Sequence, residues 1–186
     1  TIIYSEIISI LFLEIIIYFI SLLFQTRKKT IILAGGTLFS VIYIFIPLSL
    51  VVPIGFFENE IYNYKILFGL LILIWSSDSW AFVCGKLFGR HKLLERMSPN
   101  KTWEGFIGSI ILTILTGYIL SLNGFELTSI KWMILGALTA LTATLGDLFQ
   151  SMLKRESNLK DSGNILPGHG GILDRFDSIL LCFPTF

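Results

Sequence analysis

Long apolar runs separated by short polar segments dominate the chain and predict five membrane-spanning helices. A helix needs about 20 mostly apolar residues to cross the hydrocarbon core of a bilayer. The predicted spans cover residues 2–24, 31–52, 61–83, 103–120 and 130–152, and residues 178–186 would begin a sixth helix too short to cross. We therefore expect an all-α, polytopic helix bundle in a lipid bilayer, with a polar site facing the cytoplasm.

Several local signals refine this bundle. Pro47 predicts a kink in the second span. The small and hydroxylated run at 136–147 predicts close packing of the fifth span. The SPN sequence at 98–100 is a turn signal within the predicted loop 85–102. Glu104 is expected near the N-terminus of the fourth helix, where a carboxylate is favoured.

The basic residues predict the orientation. Of the 14 lysines and arginines, 12 lie in the first, third and fifth loops, which strict alternation places on one side of the membrane. The positive-inside rule makes that side cytoplasmic. We divide the chain into N-terminal membrane helices, 1–60, and a catalytic membrane region, 61–186. Because the chain begins and ends within apolar runs, we expect it to be part of a longer protein.

Composition agrees with a membrane protein and excludes other classes. Hydrophobic residues make up 54% of the chain and charged residues 15%. The net charge of +1 gives no general attraction to nucleic acid. Cys84 and Cys182 show neither a metal-binding spacing nor a disulfide framework, so we interpret them as incidental.

The segment 151–177 is the most polar part of an apolar chain. It combines several cations and acids with a glycine-rich turn, PGHGG, at 167–171. Cations pair with phosphate, acids hold divalent metals, and glycine lets backbone N–H groups approach a ligand. The segment therefore suggests a nucleotide-phosphate site at the membrane surface. A solvated basic loop is the alternative, although such a loop needs neither HGG nor DRFD.

Other polar residues are predicted to lie at the same side. Asp78, flanked by serines inside a span, is a candidate functional residue, with a structural hydrogen-bonding cluster as the alternative. Asp147 and Ser151 share a helix face. If DRFD starts a helix, Asp174 and Asp177 also share a face. Carboxylates around phosphate oxygens suit Mg²⁺. His169 is at least as compatible with stabilising a turn as with proton transfer.

The segment 151–177 resembles the signature of the phosphatidate cytidylyltransferases, also called CDP-diacylglycerol synthases. The residues that match are Ser151, Leu153, Lys154, Arg155, Lys160, Asp161, Gly163, Pro167, His169, Gly170, Gly171, Asp174, Arg175 and Asp177. Upstream, residues 77–93 and the SPNKTWEGFIGS run at 98–109 resemble the middle region of that family. The resemblance covers about 78 to the end, whereas the first 60 residues match only as generic membrane helices.

The resemblance implies transfer of the cytidylyl group of CTP to phosphatidate, giving CDP-diacylglycerol and pyrophosphate, with Mg²⁺ and room for a second cation. It implies that the metal ligands are Asp147, Asp174 and Asp177. The implied catalytic residues are Lys154, Arg155, Lys160, Asp161, His169 and Arg175. The implied substrate-binding residues are Asp78, Lys101, Ser151, Gly170 and Gly171. The expected location is a bacterial inner membrane, and a homodimer is left open.

Two other functions remain open from the residues. A CTP-dependent lipid kinase of the dolichol kinase type would use the same nucleotide but transfer the γ-phosphoryl group. A transporter would use Asp78 and Asp147 as an ion path, although the predicted polar residues cluster on one side of the bilayer.

Overall fold

The structure, a computed structural model, describes most of the second half of the chain and part of the first. The described residues are 20, 35–36, 38–56, 62–95, 97–125, 127–157, 159, 162–163, 171 and 173–185, and the description of Arg175 is limited to its backbone. The chain divides into two units, Thr1–Ser49 and Leu50–Phe186. The predicted span 2–24, apart from Ile20, and the first basic loop lie outside the described residues.

The first unit contains part of the second predicted span. A π-helix, Val41–Phe45, leads directly into a short helix α1, Ile46–Ser49. Pro47 is the second residue of α1, two positions after the end of the π-helix. Proline lacks the N–H group that a regular α-helical hydrogen bond needs. This missing donor explains the local change from an α-helix to a π-helix next to Pro47.

The second unit begins with a short helix, α2 (Val51–Ile54), and contains three long apolar helices. These are α3 (Tyr64–Phe88), α4 (Trp103–Leu122) and α5 (Ser129–Glu156), each long and apolar enough to cross a membrane. They confirm the third, fourth and fifth predicted spans. Side chains cap two of their N-termini: Asn63 accepts a hydrogen bond from the Lys65 N–H, and Thr102 accepts one from the Gly105 N–H.

Small residues bring these helices into backbone contact. A Cβ at Gly105 of α4 would lie 2.7 Å from the carbonyl oxygen of Ala81, and one at Gly136 of α5 would lie 2.6 Å from that of Thr113. Such close approach is typical of membrane helix pairs. It confirms the close packing predicted for the fifth span. Trp132 is fully buried in the apolar core beside Leu70.

Most of the loop predicted at 85–102 instead forms regular secondary structure. Helix α3 continues to Phe88, and strands β1 (Lys92–Leu94) and β2 (Ser98–Thr102) form an antiparallel hairpin. The turn prediction for SPN was therefore wrong, because Ser98, Pro99 and Asn100 lie in β2. Proline is tolerated in this two-stranded pair because both of its strands are edges.

Glu104 holds the base of the hairpin to α4. It lies in the first turn of α4, as predicted, and accepts hydrogen bonds from the backbone N–H groups of Arg90 and His91. The His91 Nδ1 lies 2.6 Å from Glu104 Oε1. One carboxylate thus fixes the chain that leads from α3 into the hairpin.

The last helix, α6, covers Leu173–Cys182 and is followed by a 3₁₀ turn, Phe183–Thr185. The start predicted for this helix, residue 178, is too late by five residues. The prediction that DRFD begins a helix is confirmed, since Asp174 lies in its first turn.

Candidate active site

The four helices α3, α4, α5 and α6 enclose a cavity of about 350 Å³ together with strand β2. Three carboxylates line it: Asp78 from α3, Asp147 from α5 and Asp177 from α6. Lys101, at the end of β2, lines the same cavity. The structure therefore brings together four predicted site residues that lie up to 99 positions apart in the sequence.

Asp78 lies deeper than the sequence indicated. Because α3 ends at Phe88 and not at the predicted residue 83, Asp78 lies ten residues, or about 15 Å, from the end of its helix. Asp147 is nine residues from the end of α5. Asp78 and Asp147 thus lie well inside their helices, about nine or ten residues from the helix ends.

A glycine in α5 sets the distance between two of the carboxylates. A Cβ at Gly146 would lie 2.6 Å from the carbonyl oxygen of Asp177. Since that oxygen belongs to the backbone of α6, any side chain at position 146 would push α6 away. Gly146 therefore allows Asp147 and Asp177 to face one cavity.

Lys101 neutralises one side of the cavity. Its Nζ lies 2.7 Å from Asp147 Oδ2 and 3.4 Å from the carbonyl oxygen of Thr144. Both charged side chains are partly exposed, so the pair opens to the cavity and is not sealed in the core. The hairpin, which the sequence did not predict, is the element that delivers this lysine.

Asp78 and Asp177 are linked through Ser178. The Ser178 hydroxyl donates to Asp78, at 3.2 Å from Oδ2, and the Ser178 N–H donates to Asp177 Oδ1 at 2.8 Å. Burial, followed by the negative charge of Asp147, raises the pKa of Asp177 to about 6. The cavity thus concentrates negative charge that a bound cation would relieve.

Asp174 is placed differently from Asp177, although both lie in α6. Its Oδ1 accepts from Lys154 Nζ at 3.0 Å, and its Oδ2 accepts from the backbone N–H groups of Ser162 and Gly171 at 2.8 and 3.0 Å. Burial raises the pKa of Asp174, but these hydrogen bonds outweigh burial and hold the pKa below its usual range. Asp174 is not among the residues that line the cavity.

The remaining predicted site residues fall into two groups. Ser151 and Arg155 lie on α5; Ser151 is half-buried and Arg155 is exposed beside a second cavity of about 350 Å³, which Met97 and Met152 also line. The second group lies outside the described residues: Lys160, Asp161, His169 and Gly170. The Arg175 side chain also lies outside the described part of the chain.

Metal-binding geometry is not preformed in the part of the chain that the structure describes. No three histidine, cysteine or acidic side chains among those residues are already placed to hold one ion. The structure does show three carboxylates that line one cavity, and the positive charge of Lys101 lies beside Asp147. The metal roles predicted for Asp147, Asp174 and Asp177 stay predictions.

Sequence reasoning missed several residues that organise the site. Ser178 directly follows Asp177, and Gly146 directly precedes Asp147. This adjacency to a predicted acid was the only signal of their roles in the sequence. Ser162 and Gln150, which contact Asp174, carry no sequence signal of that role. Their partners are 12 and 24 residues away and become neighbours only in the folded chain.

Three apolar helices around a carboxylate-lined cavity define a helical membrane protein with a polar site between its helices. Comparison with known sequences then specifies its family. The model of the cytidylyltransferase family matches residues 1–186. The chain belongs to this family.

Curated relatives carry a more specific name. A phosphatidate cytidylyltransferase of Rickettsia bellii is 43% identical over 154 residues, which cover 79% of this chain and 65% of the relative. Proteins of the same name from Bacillus subtilis and Haemophilus influenzae are 44% and 41% identical over 66% and 63% of this chain, and 46% and 42% of their own length. The chain thus spans between about two fifths and two thirds of these relatives.

Proposed function

We propose that this chain carries the catalytic region of a phosphatidate cytidylyltransferase, which converts CTP and phosphatidate to CDP-diacylglycerol and pyrophosphate. The observation that carries the proposal is the convergence of Asp78, Asp147, Asp177 and Lys101 on one recess between membrane helices. Family membership and the names of the relatives support the same reaction.

The donor set of the cavity fits Mg²⁺. This ion is held through one or two protein carboxylates, with waters and substrate phosphates completing its shell. Asp147 and Asp177 are the residues that would hold it, with Asp78 beside them. A preformed three-carboxylate cluster is not required for such binding. When bound, the ion would neutralise charge on the phosphates of CTP.

The proposed reaction joins two phosphates and needs no covalent enzyme intermediate. An oxygen of the phosphatidate phosphate forms a bond to the α-phosphorus of CTP, and the bond from that phosphorus to the pyrophosphate oxygen breaks. The protein contributes by positioning two anions and stabilising charge. Among the described residues, Lys101 is the cation that lines the cavity and could contact a phosphate there. Lys154 and Arg155 are farther along α5.

The cavity is proposed to open to the cytoplasm of a bacterial cell. Alternating spans put the C-terminal ends of α3 and α5 and the N-terminal end of α4 on one side. The hairpin, which carries basic residues of the third predicted loop, and α6 connect to those same ends. The positive-inside rule makes that side cytoplasmic. Soluble CTP and a phosphatidate headgroup would both reach a recess on this side.

The part of the chain that the structure describes shows no chain of ionisable groups that would support the transporter alternative. Beyond the carboxylates, the buried residues of α3 toward its N-terminus are mostly apolar, including Ile66, Leu70 and Leu73. These pack on Trp132 in the apolar core. Within the described helices, the far half of the bundle offers no chain of ionisable groups for an ion to follow.

The position of a radioactive label separates cytidylyl transfer from the kinase alternative. Membranes containing the protein receive phosphatidate, a polyprenol, Mg²⁺ and CTP labelled at either the α- or the γ-phosphorus. Cytidylyl transfer puts the α-label in the lipid product and the γ-label in pyrophosphate, in amounts that fall in the Asp177→Asn variant. Transfer of the γ-label to lipid would instead establish a kinase and overturn the proposal.

A further inference from the structure

The two ends of the glycine-rich loop, residues 162–171, meet at one carboxylate. Asp174 Oδ2 accepts hydrogen bonds from the Ser162 N–H at 2.8 Å, the Ser162 hydroxyl at 2.9 Å and the Gly171 N–H at 3.0 Å. The Asp174 N–H donates in return to the carbonyl oxygen of Gly171 at 3.2 Å. We call Ser162, Gly163 and Gly171 the loop base.

The loop base leaves no space for a side chain at Gly171. A Cβ there would lie 2.8 Å from the Gly163 nitrogen and would also collide with the Ser162 hydroxyl. The backbone at the start of the loop, at Ser162 and Gly163, is therefore in direct contact with Gly171 at its end. Asp174 holds the two ends together because one of its oxygens accepts hydrogen bonds from both.

The other oxygen of Asp174 connects the loop base to the membrane helix α5. Oδ1 lies 3.0 Å from Lys154 Nζ and 3.4 Å from Gln150 Nε2. Gln150 is fully buried, and the Asp174 side chain is only 10% exposed. The carboxylate thus joins three parts of the chain: α5, α6 and the loop base.

Asp174 has little remaining capacity to bind a metal. A carboxylate offers about four lone-pair positions, and five donor contacts already surround this one. A cation would have to displace at least one of these donors. Asp177, three residues later, instead lines the carboxylate cavity together with Asp147.

We propose that Asp174 is a positioning residue that closes the loop base, and that it does not hold the divalent cation. Its effect on turnover, through the loop that carries His169, rests on the proposed function. Its role at the loop base rests on the contacts alone. The two roles require separate measurements.

Hydrogen–deuterium exchange and Mn²⁺ binding together test the proposal. The purified chain in lipid nanodiscs is compared with Asp174→Asn and Asp177→Asn, without nucleotide or lipid substrate. Asn keeps the size of Asp174 but replaces one acceptor oxygen by a donor. We expect exchange at the Ser162 and Gly171 amides to become at least about tenfold faster in Asp174→Asn, as expected for losing a charge-assisted hydrogen bond. The same amides should exchange normally in Asp177→Asn.

Mn²⁺ affinity, measured by electron paramagnetic resonance, should show the reverse pattern. Asp177→Asn should weaken Mn²⁺ binding by at least about tenfold, whereas Asp174→Asn should change it less than about twofold. Unchanged exchange in Asp174→Asn, or an equal loss of Mn²⁺ affinity in both variants, would overturn the proposal. Because neither readout needs CTP or phosphatidate, the result is independent of the reaction.

A milder variant covers the case in which Asp174→Asn does not accumulate in membranes. Ser162→Ala removes only the hydroxyl donor to Asp174 and keeps the backbone bond. We expect a smaller increase, about threefold, in exchange at Gly171 with normal Mn²⁺ affinity. Normal exchange in this variant would contradict a shared clamp at the loop base.

Discussion

Substituting Gly146 by alanine should separate the two carboxylates of α5 and α6 with the smallest change available. The new Cβ would lie 2.6 Å from the Asp177 carbonyl oxygen, whereas ordinary van der Waals contact begins at 3.4 Å. Helix α6 would therefore have to move by about 0.8 Å. Catalytic groups need positions accurate to about 0.5 Å, and a misplacement of about 1 Å can cost roughly 100-fold in rate. We predict a loss of about 100-fold in kcat.

Gly136→Ala is the matched control for this prediction. Its Cβ would also lie 2.6 Å from a backbone carbonyl oxygen, that of Thr113, but ten residues or about 15 Å away along α5. Both changes replace glycine by alanine inside the same helix, so the gain in helix propensity of about 1 kcal/mol is shared. Steric destabilisation of a helix contact is shared as well. The two variants differ in the neighbouring helix that is displaced: α6 for Gly146→Ala, and α4 at a point remote from the carboxylates for Gly136→Ala.

The assay measures formation of CDP-diacylglycerol at saturating CTP and phosphatidate, together with Tm in nanodiscs. Rates are expressed per folded protein. We expect both variants to lower Tm and only Gly146→Ala to lose turnover strongly. Equal turnover in the two variants would refute the inference that Gly146 sets the geometry of the carboxylate pair.

Three further predictions follow from the same structure. Lys101→Met, which removes the ion pair with Asp147, should lower kcat/KM for CTP by roughly 10- to 100-fold, the effect of losing a charged hydrogen bond; an unchanged value would exclude Lys101 from phosphate contact. Arg155→Lys keeps the positive charge but loses the planar guanidinium that can bind phosphate through two hydrogen bonds, so kcat/KM for one substrate should fall at least about tenfold. Full activity would mean that the charge of Arg155 serves only to orient the protein in the membrane. Cysteines at Lys92 and Asn123 should be labelled from opposite sides of the membrane, the former from the cytoplasm; labelling from one side would contradict the topology.

The spans and the acids of the site were predictable from sequence because their signals are local. An apolar run long enough to cross a bilayer predicts α3, α4 and α5 wherever they pack. An acid inside an apolar span, such as Asp78, is costly unless it has a role. Such features need no knowledge of distant residues.

The features that the sequence did not predict depend on contacts between distant parts of the chain. The hairpin at 92–102 was missed because a proline and a turn-forming asparagine outweigh strand propensity in SPN. Its delivery of Lys101 to Asp147 joins residues 46 positions apart. The different roles of Asp174 and Asp177 were also hidden, because spacing on a helix gives a shared face but not the partners that the face meets.

The proposed function requires a divalent cation and the phosphates of CTP to meet at the cavity lined by Asp78, Asp147 and Asp177. Pulsed electron–nuclear double resonance on Mn²⁺ tests it directly, since coupling to ³¹P requires a CTP phosphate in the shell of the ion. We expect this coupling in the unmodified chain and in Glu156→Gln, a control at the end of α5 outside the cavity. The signal should be lost in Asp147→Asn. Undiminished ³¹P coupling in Asp147→Asn would show that the ion and CTP do not meet at this cavity.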